Sequence, residues 1–174
     1  MSTFSAFEDI EHGLSGKRTR RVWTFWRERA GAALAPDWAS FDLMGVYQDA
    51  PITLVLDVLP QANGEFDYLY RYVGTKIVQY RWRLPVPDHT GLTYSQASHQ
   101  YNFCEVKAAY DKCAATGRPM LMRRDFDAFD ASGVHERLIL PICRADRGGT
   151  DKLAVVVERL TETPKHSSEA PPHF

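Results

Sequence analysis

Arg71 has the clearest capacity for chemistry, because it interrupts the aromatic strand pattern 66-FDYLYRYV-73. In an extended strand, Tyr70 and Tyr72 fall on one face and Arg71 on the other. An unpaired buried charge is costly, so Arg71 needs a partner, and Glu136 in a later strand is the candidate. The two could form a structural ion pair that sets strand register. Alternatively, Arg71 could face a cavity and bind a carboxylate or phosphate through its forked guanidinium.

Several aromatic side chains could line a cavity near that arginine. Aromatic rings supply shape and stacking for a flat ligand, although the same rings are also typical of an ordinary hydrophobic core. The candidate cavity residues are Arg71, Tyr70, Tyr72, Trp82, Tyr101, Phe103 and Glu136.

The sequence gives little support for a metal or a prosthetic group. A zinc site needs three or four ligands at short spacing, and His99 with Cys104 is too sparse. The acidic cluster 125-DFDAFD-130 lacks the glycine and the terminal glutamate of a calcium-binding EF-hand loop. Haem on His99 and flavin are likewise unsupported. We therefore predict no metal site and leave the cofactor unassigned.

An enzyme remains the alternative function. The chain carries no Walker A loop, nucleophile elbow, dinucleotide-binding glycine motif or zinc-protease motif. A small hydrolase or isomerase could still use His89 or His99 as an acid or base within a cavity. The side chains that point into the space between helices and sheet distinguish an enzyme from a binding module. A third possibility is an interaction domain with a filled core and no ligand.

Charge and composition exclude several partners. The net charge of −1, from 21 basic and 22 acidic side chains, argues against nucleic acid, despite the local basic stretch 17-KRTRRVWTFWRER-29. We interpret that stretch as a solvated helix face. No run approaches the roughly 18 apolar residues of a membrane span, and the N-terminus lacks a secretory signal pattern. Three cysteines without paired spacing favour reduced thiols and a cytoplasmic location.

The hydrophobic periods predict the order helix, two strands, short helices, one long helix and three strands. Asn-Gly in 61-QANGE-65 predicts a hairpin between the first two strands. The predicted segments are a flexible arm at 1–20, a tryptophan-bearing helix at 22–34, strands at 52–60, 66–73, 119–126, 134–143 and 153–160, a helix from Asn102 to Gly117, and a disordered tail at 161–174.

This order predicts an α+β fold with a five-stranded antiparallel sheet. The helices are expected to pack on one face of that sheet, with the N-terminal helix in addition. Residues 21–160 are expected to form a single domain.

Three short motifs resemble the PAS fold, and more narrowly an alphaproteobacterial single-domain PAS variant family. These motifs are 71-RYVGT-75 after the second strand, the turn 88-DHTG-91, and 136-ERLILPI-142 near the end. The resemblance covers about residues 22–160. It implies a bacterial sensory or interaction module with a small ligand held between the sheet and the helices.

The expected function is therefore a stand-alone cytoplasmic PAS-type sensor or adaptor. It would bind a small molecule or a signalling partner protein and act through dimer or partner contacts. The resemblance also implies homodimerisation through an N-terminal helix, here 22–34.

Overall fold

The computed structural model describes residues 7–97, 104–144 and 148–165. Five strands form one antiparallel sheet in the order β2-β1-β5-β4-β3. The strands are β1 (Thr53–Pro60), β2 (Phe66–Val73), β3 (Met120–Asp127), β4 (Ala131–Cys143) and β5 (Thr150–Pro164). The predicted fold class, an α+β fold around a five-stranded antiparallel sheet, is therefore confirmed.

Within the described ranges, five helices and two short 3₁₀ turns surround this sheet. They are α1 (Phe7–Gly13), α2 (Lys17–Ala30), the 3₁₀ turns Leu43–Val46 and Ala50–Ile52, α3 (Thr75–Tyr80), α4 (Tyr94–Ala97) and α5 (Cys104–Thr116). Among the described elements, α3, α4 and α5 contribute to one core on one side of the sheet, here called the α5 face. Helices α1 and α2 pack on the opposite side, here called the α2 face.

The central strands β4 and β5 supply apolar residues to both faces. On β5, Val155 and Val157 enter the core of the α5 face, whereas Ala154 and Val156 enter the core of the α2 face. This alternation explains why these strands are nearly continuous apolar runs, as expected for a sheet covered on both sides.

A β-bulge at Arg71 explains the arginine in the aromatic strand. Val55 pairs with Tyr72, but its neighbour Leu56 pairs with Tyr70, so Arg71 is the extra residue on β2. A bulge shifts the phase of alternation. As a result Val73, and not Tyr72, shares the α5-face core with Tyr70, which corrects the predicted face of Tyr72.

The N-terminal segment is packed, not a loose arm. The sequence analysis assigned residues 1–20 to a flexible arm and a helix to 22–34. Instead, α1 and the first turn of α2 lie within 7–20, and Ile10 and Leu14 are buried in the α2-face core. The helix ends at Ala30, followed by Gly31 at a positive φ of 56°. Residues 1–6 lie outside the described part.

The C-terminal strand is longer than predicted. The disordered tail was expected to begin at 161, but β5 continues to Pro164, which pairs with Ala131. The turn 88-DHTG-91 covers the outer edge of the hairpin, since Gly91 N–H donates to the Tyr70 carbonyl at 2.8 Å. Gly91 has a φ of 86°, a region that strongly favours glycine.

Candidate functional site

A cavity of about 370 Å³ opens between α3 with its following turn and the α5 face of β3, β4 and β5. That volume lies within the range of about 300–1,000 Å³ typical of small-molecule pockets. Its apolar wall comes from Ile77, Leu84, Phe126 and Val157. Its polar lining includes Tyr80, Arg81, Arg124, Asp125, Asp127, His135, Arg137 and Arg159.

Arg137 is the most distinctive group in this cavity. It lies in the middle of β4 and is only 7% exposed. Its Nη1 donates to the Tyr110 hydroxyl at 2.8 Å. Its Nε is buried and has no hydrogen-bond partner among the described residues, and no carboxylate of those residues pairs with it. A buried cation without a counter-ion is costly, so its presence calls for an explanation.

His135 lines the same cavity two residues before Arg137 on β4. Its Nε2 is also buried without a partner in the described part of the chain. Burial, reinforced by the positive charges of Arg137, Arg124 and Arg159, lowers the pKa of His135 to about 4. The imidazole is therefore neutral at physiological pH, and the local field is positive.

The other arginines at the cavity have partners. Arg159 donates from Nη1 to Asp130 at 2.9 Å and to Glu162 at 3.2 Å. Its guanidinium also lies 3.6 Å from the centre of the Tyr80 ring, a cation–π geometry. Arg124 pairs with Glu105 at 3.3 Å. These contacts hold two cations at the cavity wall without leaving their charge uncompensated.

Arg71 lies away from this cavity, and its predicted pairing with Glu136 is wrong. The bulge turns its side chain to the surface, where it is 61% exposed and pairs with Asp57 of β1. Asp57 also accepts from Lys152 of β5 at 2.7 Å. Arg71 therefore belongs to a surface ion-pair group across three neighbouring strands, β2, β1 and β5.

Glu136 points to the α2 face and serves as an acceptor for the start of α2. It is fully buried, and its carboxylate accepts the backbone N–H groups of Ser15 and Gly16 at 2.9 and 3.0 Å. It also accepts from the Thr19 hydroxyl and from Arg123. Because the helix begins after a glycine without a capping side chain, the sheet provides the cap.

The electrostatics of Glu136 agree with this capping role. Burial alone would raise the pKa of its carboxyl, but hydrogen bonds from Thr19, Ser15, Gly16 and Arg123 outweigh burial and lower it. Glu158, its neighbour across to β5, accepts the N–H groups of Arg18 and Thr19 at 2.9 and 2.8 Å. Two strand glutamates thus satisfy four backbone N–H groups around the start of one helix.

The predicted aromatic cavity residues lie outside the cavity lining or outside the described part of the chain. Tyr70 is buried in the α5-face core with its ring 5.3 Å from His89. The Tyr72 hydroxyl donates to the Ala50 carbonyl at 3.1 Å. Trp82 makes an edge contact with Phe129, 5.5 Å between ring centres. Tyr101 and Phe103 belong to 98–103, which the structure does not describe.

Sequence reasoning missed Arg137, His135 and Arg159. Strand β4 lies between β5 and β3, so His135 and Arg137 are interior to the sheet. The available signal was the run of charged residues in 134-VHERLILPIC-143, where two alternating faces each receive a charge. Glu136 drew attention, but its neighbour Arg137 faces the cavity.

The basic stretch of α2 is used largely within the chain. Arg18 and Arg21 both bind the buried Asp49, at 2.9 and 2.6 Å. Arg27 and Arg29 lie over aromatic rings, with Arg29 4.8 Å from the centre of Phe25. These cations stabilise the attachment of α2 to the protein's own surface.

None of the described helices combines the length and the apolar character needed to cross a membrane.

Comparison with solved structures finds a likeness in overall fold. The structure resembles that of a fungal LOV domain photoreceptor, with 12% identity, coverage of 71% of this chain and 94% of that chain, and a TM-score of 0.44. No protein-family model and no curated protein matches the chain. A likeness at this level assigns neither a ligand nor an activity.

Proposed function

We propose that this chain is a PAS-type sensory or adaptor domain that binds a small molecule in the cavity of the α5 face. The observation that carries the proposal is the buried Arg137, which lines the cavity with its Nε unpartnered among the described residues. Native proteins satisfy nearly all buried polar groups. A cavity that contains such a group next to apolar walls has the composition of a ligand site.

The position of the cavity supports a sensory role. A ligand there would contact α3, its following turn and three strands at once. The PAS resemblance implies the same location for a ligand, between sheet and helices. The enzyme alternative relied on His89 or His99. The His89 ring packs edge-on against the Tyr70 ring, and His89 is not part of the cavity lining. His99 is outside the described residues.

Output through protein contacts is the second part of the proposal. Homodimerisation through 22–34 would have to use the outer side of this segment, because Trp23 and Trp26 are buried in the chain's own core. That outer side includes Arg29 and Leu34, and Leu34 is 58% exposed. A signalling partner could bind the same surface.

The proposal is tested by filling the cavity. Ala128→Trp places a large side chain at a lining position, and Ala62→Trp is the matched control at an exposed position in the turn between β1 and β2. Native mass spectrometry identifies any retained small molecule, and thermal shift against a metabolite panel identifies added ones. We expect a compound that stabilises the wild type and Ala62→Trp but not Ala128→Trp.

Circular dichroism first establishes that both variants keep the wild-type secondary structure. A panel without any stabilising compound, together with no retained molecule, would contradict the proposal. So would a compound that stabilises Ala128→Trp as much as the wild type. Size measurements of the same samples by light scattering, with and without the compound, test the dimer.

A further inference from the structure

We infer that the ligand of the α5-face cavity is a monocarboxylate with an apolar body, held by the free edge of the Arg137 guanidinium. This inference rests on the proposed function and specifies the chemistry of the ligand. Three features of the cavity support it: the geometry of Arg137, the balance of charges, and the nature of the remaining wall.

The first feature is which edge of Arg137 is used. Nη1 is bound to Tyr110, whereas Nε is buried and has no partner among the described residues. Nε and Nη2 are the two donors of the lateral edge of the guanidinium. This edge presents two parallel N–H groups, the arrangement that a carboxylate accepts in a bidentate contact. A neutral amide offers only one oxygen acceptor and turns its own N–H₂ donors towards the second N–H.

The second feature is the charge balance. Arg159 is neutralised by Asp130 and Glu162, and Arg124 pairs with Glu105. Arg137 is the buried cation of the lining that has no carboxylate among the described residues. Arg81, the remaining arginine of the lining, is only partly buried and contacts Nδ1 of His89 at 3.1 Å. One buried, uncompensated guanidinium matches one negative charge.

A phosphate monoester fits this balance less well. It carries about −1.5 to −2 charges at neutral pH. Its second charge would find no second uncompensated buried cation, because Arg124 already pairs with Glu105 and Arg159 with Asp130 and Glu162. We therefore infer a carboxylate in preference to a phosphate.

The third feature is the rest of the wall. Ile77, Leu84, Phe126 and Val157 present apolar surface next to Arg137. An aliphatic or aromatic body attached to the carboxylate would bury that surface and gain hydrophobic free energy. His135 provides a further polar contact through Nε2, which has no partner within the described chain. A body with few polar groups therefore fits better than a sugar or a nucleoside.

The test compares acids with their amides by isothermal titration calorimetry. The probes are octanoate and 3-phenylpropionate, with octanamide, 3-phenylpropionamide and inorganic phosphate as controls. We expect the acids to bind the wild-type protein at least about tenfold more tightly than the amides. Arg137→Gln should remove that preference, whereas Arg71→Gln, at the exposed surface pair, should leave it intact.

Each outcome has a distinct meaning. Equal binding of acids and amides, or tighter binding of phosphate, overturns the carboxylate inference but leaves a small-molecule site in place. Binding of another panel compound, with no binding of acids or amides, also overturns the carboxylate inference and leaves a small-molecule site in place. If nothing binds and the cavity-filling experiment is also negative, the proposed function fails too. If Arg137→Gln does not fold, the acid–amide comparison on the wild type still decides the result.

Discussion

On β4, Glu136 points to the α2 face and Arg137 to the α5 face, and the two charges meet different surroundings. The Glu136 carboxylate receives two backbone N–H groups, a hydroxyl and a guanidinium. Arg137 donates to one tyrosine hydroxyl, and its Nε stays unsatisfied among the described residues. Both residues are buried, so the difference lies in how fully each charge is compensated.

This contrast separates architecture from a candidate site. A buried ion whose lone pairs are all used holds a helix end in place and has little capacity left for a ligand. A buried ion with an unused edge next to a cavity retains that capacity. We therefore interpret the α2 face as the surface on which the N-terminal helices pack, and the α5 face as the side that binds a ligand. The predictions below test that division.

The largest effect is expected on the α2 face, from Trp26→Ala. Trp26 is fully buried, stacks on Trp23 with ring centres 5.5 Å apart, and donates from Nε1 to the Pro141 carbonyl at 2.9 Å. Its removal should lower the free energy of unfolding by about 4 kcal/mol, measured by urea denaturation. Thr24→Ala on the exposed side of α2 is the control. A loss below about 1 kcal/mol would mean that α2 is separable from the sheet.

Glu136→Gln should be the next most damaging change. The amide keeps one acceptor and brings N–H₂ donors against the N–H groups of Ser15 and Gly16, at a cost of about 3 kcal/mol. Glu28→Gln, on the exposed face of α2, should cost little.

The effect of Glu136→Gln should depend on pH with a defined sign. The folded-state pKa of Glu136 is lowered, so its contribution is fully present above the unfolded pKa of about 4.3 and is lost as pH falls through the folded value. The free energies of unfolding of wild type and variant, measured by urea denaturation at a series of pH values, should therefore converge in acid. A difference that stays constant down to pH 3 would contradict the carboxylate's role.

Arg137→Met should act in the opposite direction in the absence of ligand. Replacing a buried, uncompensated cation by an apolar side chain of similar length should raise the free energy of unfolding by about 1 kcal/mol. The same urea denaturation measures it, with Arg123→Met as the contrast, since Arg123 binds Glu136 and its loss should destabilise. If Arg137→Met destabilises by more than about 2 kcal/mol, Arg137 is a structural residue and the division of the two faces is wrong.

His135 gives a smaller, pH-dependent test of the α5 face. Its folded-state pKa is lowered to about 4, so the unfolded chain binds more protons and stability falls as pH drops from about 6.5 towards 4. Arg137, Arg124 and Arg159 are the cations that contribute to this shift. His135→Gln should remove that part of the pH dependence, whereas His12→Gln on exposed α1 should keep it. Identical pH profiles for wild type and His135→Gln would contradict a buried neutral imidazole.

Much of the fold was predictable because the strongest turn and strand signals in the sequence coincide with observed strands and turns. The Asn-Gly turn and the β-rich runs on either side located β1 and β2 to within one residue. The order of the N-terminal segment was not predictable from the sequence, because α1 has few apolar residues. Ile10 and Leu14 are buried only because they pack into the α2-face core. Tertiary packing, not local propensity, makes that segment ordered.

The candidate site was less predictable than the fold. A strand covered on both faces shows no hydrophobic alternation, so the sequence does not tell which of Glu136 and Arg137 faces a cavity. On β2 the problem was different: the bulge adds one residue, and every position beyond it changes face. Such a bulge leaves no clear mark in the pattern 66-FDYLYRYV-73.

Arg71→Ala is expected to have the smallest effect, although this arginine drew most attention in the sequence. Its side chain is 61% exposed, and Asp57 retains Lys152 at 2.7 Å when the guanidinium is removed. A surface ion pair contributes about 0–1 kcal/mol, so urea denaturation should show a loss within that range. Adding Lys152→Ala would leave the mostly buried Asp57 without either cation, and the double variant should lose more than the sum of the single losses. Strict additivity would mean that the two cations act on Asp57 independently of each other.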